Sequence, residues 1–375
     1  MKVRRGSRRL TRVTGSAVLA LGLAAGAVAG SGAVASAGSV ARFPTRSGAV
    51  GWGNNFVGEL GDGINFQVAS PTWTPVTGLS SGVVQVSAGS EQSMALTSDG
   101  SVWQWGATST GDETYSFSTV PVQVPGLAGI TQVSSGGNQS LALRSDGTVW
   151  AWGNNSSGQL GNGTTNDSAV PVQVTGLSHV TKIAAGLGDS MAVATRGFTT
   201  LTSVYAWGAN QSGQIGDGSY RERPVPVQVT GIGVPNVIGI AVGNAFAMVL
   251  GSDGTVWDWG VNNFGQLGNG TTTPEIRPVE ARGLDSGITQ LAAGADHALA
   301  LRSDGSVLAW GYNGAGELGD GSASALGVAN PAPVQVLGLG NVTQVSAGLS
   351  HSLAVHQVPF VFRLPGGGVT AEQEK

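Results

Sequence analysis

The chain has 375 residues; 62 are glycine, only 11% are charged, and none is cysteine. The absence of thiols excludes disulfides, thiolate metal sites and a cysteine nucleophile, while the high glycine content is typical of a protein with many tight turns. Six of the 18 basic residues lie in the first 12 positions, which leaves 12 against 22 acidic residues and a charge of −10 thereafter. A surface of that sign repels phosphate, so we expect no nucleic acid partner.

The first 37 residues have the features of a secretory signal peptide. The basic segment is followed by an apolar stretch from Val13 to Ala29, and Ala-Ser-Ala at 35–37 forms a cleavage site. A single transmembrane anchor is the alternative, but Gly15, Gly22 and Gly26 interrupt the apolar stretch. We therefore expect cleavage and secretion, with no membrane anchor afterwards, a domain over 38–356 and a C-terminal tail over 357–375.

A Trp-Gly pair recurs about every fifty residues along this domain. The repeated tryptophans are Trp52, Trp105, Trp152, Trp207, Trp259 and Trp310. A GQLGNG-like turn follows five of the six copies, at 58–63, 158–163, 213–218, 265–270 and 316–321, whereas the second copy reads GATSTGDET. Self-similarity at a fixed period indicates a repeat architecture.

Each copy contains four short strand signals. They are a PVQV-like segment, a segment ending in Gly such as TQVSAG, a segment such as SLALRS, and a TVWAWG-like segment. Asp-Gly pairs at 99, 146, 253 and 304 separate the last two, and we expect a type I′ turn there, with positive φ at both residues. Four antiparallel strands per copy predict an all-β fold: a β-propeller of four-stranded blades, with six blades and with seven as the alternative.

The tryptophans of the fourth strand are expected to hold neighbouring blades together. Trp103 and Trp105 stand two residues apart, as do Trp150 and Trp152, so each pair shares one face of its sheet. A buried tryptophan removes about 150–250 Å² from water. We interpret the six Trp-Gly tryptophans as structural anchors, with light sensing or stacking on a sugar as the alternative.

The two ends of the array complement each other. The last copy stops after HSLAV at 351–355 without its fourth strand, whereas residues 47–53 form a fourth strand without its preceding partners. We expect these N-terminal and C-terminal strands to pair and so close the ring, because closure removes exposed sheet edges.

These residues resemble the regulator of chromosome condensation repeat family, whose pattern is close to AAGxxHSLALxSDGxVWAWGxNxxGQLGxG. The resemblance covers about 47–355 and implies a β-propeller, usually of seven blades; the six copies of this chain predict six. Members of the family differ in activity, and include a guanine-nucleotide exchange factor and a secreted inhibitor of β-lactamases. The shared fold therefore does not carry one activity with it.

No reactive constellation stands out in the sequence. His297 and His351 occupy one repeat position, but the other copies place Gln92, Gln139, Asp189 and Phe246 there, which suits a structural polar residue better than a ligand ring. The acidic residues inside the glycine-rich turns, such as Asp62 and Asp217, are explained by turn formation, and calcium binding is the alternative. We predict no catalytic residues, no cofactor and no metal.

Candidate partner contacts come from the places where the copies diverge. They are Phe56, Phe66, Trp73, Tyr115, Phe117, Tyr220, Arg221, Arg223 and Phe264, which include residue types enriched at binding hot spots. We therefore expect a secreted, non-catalytic protein that binds a protein partner through its loops. The alternatives are an inhibitor of an extracellular enzyme, a carbohydrate-active enzyme with a carboxylate pair drawn from two blades, and a nucleotide exchange factor.

Overall fold

The computed structural model describes residues 47–64, 67–109, 114–197, 199–284, 287–325 and 328–356. Within these ranges every regular element is a β-strand. The expected signal peptide and the expected C-terminal tail lie outside the described residues.

The strands form five four-stranded sheets, which we call blades 1 to 5, and two hairpins at the ends of the array. The N-terminal hairpin is β1 (Val50–Asn55) and β2 (Gln67–Pro75), and the C-terminal hairpin is β23 (Val342–Ala347) and β24 (Ser352–His356). Blade 1 contains β3 (Val83–Ala88), β4 (Gln92–Thr97), β5 (Val102–Ser109) and β6 (Tyr115–Gln123). Blade 2 contains β7 (Ile130–Ser135), β8 (Gln139–Arg144), β9 (Val149–Gly153) and β10 (Ser168–Gln173). Blade 3 contains β11 (Val180–Ala185), β12 (Asp189–Thr195), β13 (Thr202–Gly208) and β14 (Arg223–Gln228). Blade 4 contains β15 (Val237–Val242), β16 (Phe246–Gly251), β17 (Val256–Gly260) and β18 (Glu275–Glu280). Blade 5 contains β19 (Ile288–Ala293), β20 (His297–Arg302), β21 (Val307–Tyr312) and β22 (Ala329–Gln335).

Within each blade the strands pair in chain order and antiparallel. The predicted blade boundary is wrong by one strand, because the PVQV-like segment pairs with the tryptophan strand that precedes it, as β6 pairs with β5. The tryptophan strand is therefore the third strand of a blade and the PVQV-like strand is the fourth, outermost one. The predicted turn type at the Asp-Gly pairs is wrong. Gly147 has a φ of 80°, but Asp146 is not among the residues with positive φ. The Gly147 N–H donates to the Arg144 carbonyl at 2.9 Å, so the connection is a type I turn followed by a left-handed glycine. The Asp146 carboxylate accepts from the Thr148 N–H at 2.9 Å and fixes this turn.

The first strands of all blades converge at one axis. The glycines that end them, together with their neighbours from six copies, line a cavity of about 110 Å³. A Cβ placed on Gly243 or Gly294 would lie 2.6 Å from the glycine carbonyl oxygen of the next copy. Only glycine allows so close an approach, which explains why each first strand ends in one.

Indole side chains fill the junctions between successive blades. Trp207, Trp259 and Trp310 are fully buried, and each donates its Nε1–H to a carbonyl in the glycine-rich turn of the preceding copy at 2.7–2.8 Å. Trp105 does the same with the Glu59 carbonyl at 2.8 Å. Trp152 follows the copy that lacks this turn, and it donates instead to Oε1 of Gln104 at 2.6 Å. These five junctions therefore satisfy the indole while burying its rings.

Trp52 differs from the other five tryptophans of the Trp-Gly repeat, because 53% of its surface is exposed. In the described residues β1 pairs only with β2 and β24 only with β23. The five blades and the two hairpins together account for the six copies, while closure through the terminal strands stays a prediction.

Candidate interaction surface

Two sets of connections leave each blade at the same end. In an antiparallel blade the connection from the first to the second strand and that from the third to the fourth share one end of the sheet. Hydrogen bonds confirm this placement: the N–H of Ala107 donates to the Glu91 carbonyl and that of Ala209 to the Gly188 carbonyl, both at 2.8 Å. The divergent segments after each Trp-Gly pair therefore share this end, which we call the turn end.

Most of the predicted aromatic contacts are exposed. Trp73 is exposed by 65%, Tyr220 by 60%, Phe56 and Phe117 each by 55%, and Tyr115 by 39%. Phe264 is half-buried and packs edge-on against Tyr312, with ring centroids 4.9 Å apart. Phe66 lies outside the described residues. The structure thus leaves most of these aromatic rings free to meet a partner.

Blade 1 departs from the others at this end, because it lacks the glycine-rich turn. Its third and fourth strands continue as a long hairpin, paired from Ala107↔Phe117 to Ser109↔Tyr115. The two aromatic residues stand two positions apart on β6 and so share a face. The lost turn has been replaced by a projecting hairpin that carries exposed rings.

The N-terminal hairpin lies against this part of blade 1. The Gly63 N–H donates to the Thr119 carbonyl at 2.9 Å, and a Cβ on Gly58 would meet Thr119 directly. Phe56 and Phe117 each lie two residues from this contact. They therefore belong to one region, which we call the aromatic region and define as Phe56, Tyr115 and Phe117.

The arginines of the 219–223 segment have different environments. Arg223 forms an ion pair with Asp217 at 2.5 Å through Nη2 and donates from Nε to the same carboxylate at 2.7 Å. Burial works to raise the pKa of Asp217, but its bonds from Ser219 and Arg223 and the arginine charge hold the pKa below the ordinary value. Arg223 thus stabilises its own turn, whereas Tyr220 and Arg221 are exposed.

A buried asparagine organises each glycine-rich turn, and the sequence reasoning missed it. Nδ2 of Asn155 donates to the carbonyls of Thr164 and Asn166 at 3.0 and 2.9 Å, and its Oδ1 accepts from the Leu160 N–H at 2.9 Å. The oxygens that could surround a cation therefore converge on an amide nitrogen. Its signal was available: asparagine occurs three residues after the Trp-Gly tryptophan in five copies, at Asn55, Asn155, Asn210, Asn262 and Asn313.

Side chains at the repeat position of His297 make polar contacts to the next copy in three of the six copies. Nε2 of Gln92 donates to the Gln139 carbonyl at 2.8 Å, and Nε2 of Gln139 donates to the Asp189 carbonyl at 3.0 Å. His297 lies 3.0 Å from the Ser352 hydroxyl, which itself donates to the Glu317 carbonyl. The Ser352 hydroxyl is thereby held between the His297 imidazole and the Glu317 carbonyl. Burial lowers the pKa of His297 to about 4 and keeps it neutral.

No cluster of three or more His, Asp or Glu side chains is arranged to hold a metal ion among the residues that the structure describes. In the same part of the chain no helix is long and apolar enough to cross a membrane.

Blades around a glycine-lined axis, joined by tryptophans that follow one repeat, define a β-propeller of the chromosome-condensation regulator type. The chain belongs to the RCC1-like domain family, whose pattern matches residues 48–362. It is 31% identical to the ultraviolet-B receptor UVR8 of Arabidopsis thaliana over 318 residues, 83% of this chain and 71% of that protein. It is 32% identical to the human E3 ubiquitin-protein ligase HERC2 over 153 residues, 40% of this chain, and the match spans only 3% of HERC2.

Solved structures show the same fold. Human WBSCR16 matches with a TM-score of 0.69 and 25% identity, covering 81% of this chain and 80% of that one. Prp20p of Saccharomyces cerevisiae matches with a TM-score of 0.68 and 24% identity, covering 81% of this chain and 77% of that one.

Proposed function

We propose that the protein is a secreted, non-catalytic propeller that binds another protein through the turn end of its blades, with the aromatic region at the centre of the contact. Secretion is supported by the signal-like residues 1–37. The observation that carries the binding proposal is that Phe56 and Phe117, on neighbouring segments, are each 55% exposed. The same fold buries five of its six repeated tryptophans.

Physical reasons favour this region over the rest of the surface. Aromatic side chains offer large contact areas and are enriched at binding hot spots, and exposed apolar patches mark interaction sites. The projecting hairpin of blade 1 supplies such rings on a scaffold that is rigid beneath them. Tyr220 and Arg221, on blade 3, form a second, smaller exposed group and are the natural point of comparison.

The test is affinity capture from the extracellular fraction of the producing cells, with the mature protein immobilised. The double variant Phe56→Ser, Phe117→Ser is expected to lose a partner that the unaltered protein retains. The matched control is Tyr220→Ala, Arg221→Ala, which changes equally exposed residues on another blade. Retention of every captured protein by the phenylalanine variant would remove the aromatic region from the proposal, and loss by the control alone would move the contact to blade 3.

A further inference from the structure

The first strand of each blade has an inner edge, which faces the axis and does not pair with the second strand. We propose that a small oxyanion, a carboxylate or inorganic phosphate, binds at the inner edges of blades 4 and 5, held by the Lys182 ammonium and by the main-chain N–H groups of Ile240 and Leu291. The inference goes beyond the proposed function and does not depend on it. It rests on a repeated contact that these two blades have lost.

In other blades a glutamine of the preceding blade covers the inner edge. The Gln85 side chain donates to the Val133 carbonyl and accepts from the Val133 N–H, both at 3.0 Å. Gln132 makes the same two bonds to Ile183 at 2.9 and 3.1 Å. A third pair of this kind joins Gln290 to Val345. We call these paired bonds the glutamine clamp; they satisfy a donor and an acceptor that the second strand does not reach.

Two blades present a different residue at the position of the clamp. Lys182 occupies it in β11, and Gly239 occupies it in β15. Lys182 pairs across blade 3 with Val193, which packs against blade 4, so the lysine side chain is directed to blade 4. The main-chain groups that the clamp would hold belong to Ile240 in β15 and to Leu291 in β19.

The N–H groups of Ile240 and Leu291 face the axis and have no acceptor among the described residues. Residues of an antiparallel pair alternate between bonding the partner strand and facing away from it. In blade 4 the Gly243 N–H donates to the Phe246 carbonyl at 2.9 Å, so the residue three positions earlier faces away. The same alternation holds in blade 5. Main-chain donors at such positions require a partner.

The partner that is missing is a hydrogen-bond acceptor. A glutamine offers both donors and an acceptor to the strand that it holds, whereas the ammonium of Lys182 carries donors only. This half-buried lysine forms no ion pair or hydrogen bond within the described residues. A ligand that presents oxygen atoms to the two N–H groups and a negative charge to the ammonium satisfies all three.

A second contact to the inner edge is lost on the same two strands. Ser134 of blade 2 accepts from the Ala185 N–H at 3.0 Å. Alanine replaces this serine in blades 3 and 4, so the N–H groups of Val242 and Ala293 also have no acceptor in the part of the chain that the structure describes. Both residues line the axial cavity of about 110 Å³. The site therefore adjoins a cavity from which a small ion can enter.

The absent glutamine also leaves space beside blade 5. The three atoms nearest to a Cβ placed on Gly239 all belong to Leu250 of its own blade, at 3.2 to 3.9 Å. No atom of blade 5 comes closer than these. The direction in which a glutamine side chain would reach Leu291 is therefore open to a ligand.

Restoring the glutamine tests the site. Lys182→Gln should weaken binding of formate and phosphate at least about tenfold, because a charged donor is lost and the Ile240 N–H gains an acceptor from the chain itself. The variant should fold, since glutamine occupies this position in four other copies. The matched control Arg221→Gln removes the same charge from an exposed turn and should bind as the unaltered protein does.

Titration calorimetry of the mature protein measures these affinities. Tighter binding of formate would assign the site to a carboxylate, and tighter binding of phosphate to the inorganic ion. The proposal is overturned if neither anion shows saturable binding to the unaltered protein, or if Lys182→Gln binds both as tightly as the control does.

Hydrogen exchange locates the anion without a variant. At an anion concentration about ten times its Kd, amide exchange of Ile240 and Leu291 should slow about tenfold. The amides of Val133 and Ile183, which the glutamine clamp already holds, are the internal control and should not change. Equal slowing of all four amides would reveal a general salt effect, and slowing of none would place the anion elsewhere; either result overturns the proposal.

Discussion

The junctions that follow blade 1 and blade 4 treat the same strand position in opposite ways. In blade 1 the glycine-rich turn is missing, and Gln104 accepts from the Trp152 indole while donating to Oε1 of Gln92 at 2.6 Å. In blade 4 the turn is present, and its Gln266 carbonyl accepts a hydrogen bond from the Trp310 indole at 2.8 Å. The residue equivalent to Gln104 is Asp258, which is fully buried and whose two carboxyl oxygens have no hydrogen-bond partner among the described residues. A polar side chain at this strand position therefore stabilises the junction only where the glycine-rich turn, and with it the backbone acceptor for the indole N–H, is missing.

The largest expected effect comes from removing the tryptophan side chain that fills a blade junction. Trp310→Ala should lower the free energy of unfolding by about 3–5 kcal/mol, because it leaves a cavity between two blades. Trp73→Ala is the control, since Trp73 is 65% exposed, and its effect should stay within about 0.5 kcal/mol. Urea unfolding followed by circular dichroism measures both. Equal effects of the two variants would contradict the role of the indoles as anchors.

A second effect concerns buried acids without a cationic partner. Burial raises the pKa of Asp189 to about 8, and burial also raises that of Asp258. The unfolded chain releases these protons near pH 4, whereas the folded chain holds that of Asp189 up to about pH 8. Stability should therefore fall as pH rises through this range, and Asp258 acts in the same direction.

Asp189→Asn isolates the contribution of one acid, because an amide already occupies its repeat position at Gln92 and Gln139. The variant should flatten the decline in stability between pH 4 and 8, measured as urea midpoints at several pH values. The pKa of the turn carboxylate Asp146 is lowered, chiefly by the hydrogen bond from the Thr148 hydroxyl. Its effect on stability therefore falls below this pH range. A slope identical to that of the unaltered protein would show that Asp189 is charged in the fold.

The third variant breaks the substitute contact in blade 1. Gln104→Ala should destabilise by about 1–3 kcal/mol, because it leaves the buried Trp152 N–H without an acceptor. Gln123→Ala, on the exposed edge of the same blade, is the matched control and should change little. If thermal unfolding showed the two variants to be alike, the indole of Trp152 would have another partner.

The smallest effect has the opposite sign. Asp258→Ala should raise the free energy of unfolding at pH 7 by about 1–2 kcal/mol, because it removes a buried polar group that has no hydrogen bond. Alanine already fills this position, fully or almost fully buried, at Ala151, Ala206 and Ala309. Asp258→Asn serves as the control, because it keeps the polar group and should gain less. Destabilisation by the alanine variant would mean that the carboxyl group has a stabilising contact after all.

The repeat predicted four-stranded antiparallel blades, because a strand pattern that recurs needs little tertiary information, but it began each blade one strand too early. It did not predict the turn at Asp146. Whether the residue before the glycine adopts positive φ depends on the number of residues in the turn, and the register of the two strands sets that number. The two hydrogen bonds between the Gln85 side chain and the Val133 backbone, both 3.0 Å, were also missed, because a polar residue on a half-buried strand has the same alternation whether it meets solvent or a neighbouring backbone. For the partner contacts, sequence divergence identified loops, but only the coordinates show that Phe56 and Phe117 share a region while Arg223 is bound to its own turn.

The glycines at the axis also limit where the sequence of this molecule can change. Because Gly243 and Gly294 leave no room for a single added carbon atom, the distance between neighbouring first strands is set by main chain against main chain. A side chain added at either glycine would push two neighbouring strands apart at the axis. New specificity can therefore arise more readily by altering the loops of the turn end than by changing the residues at the axis.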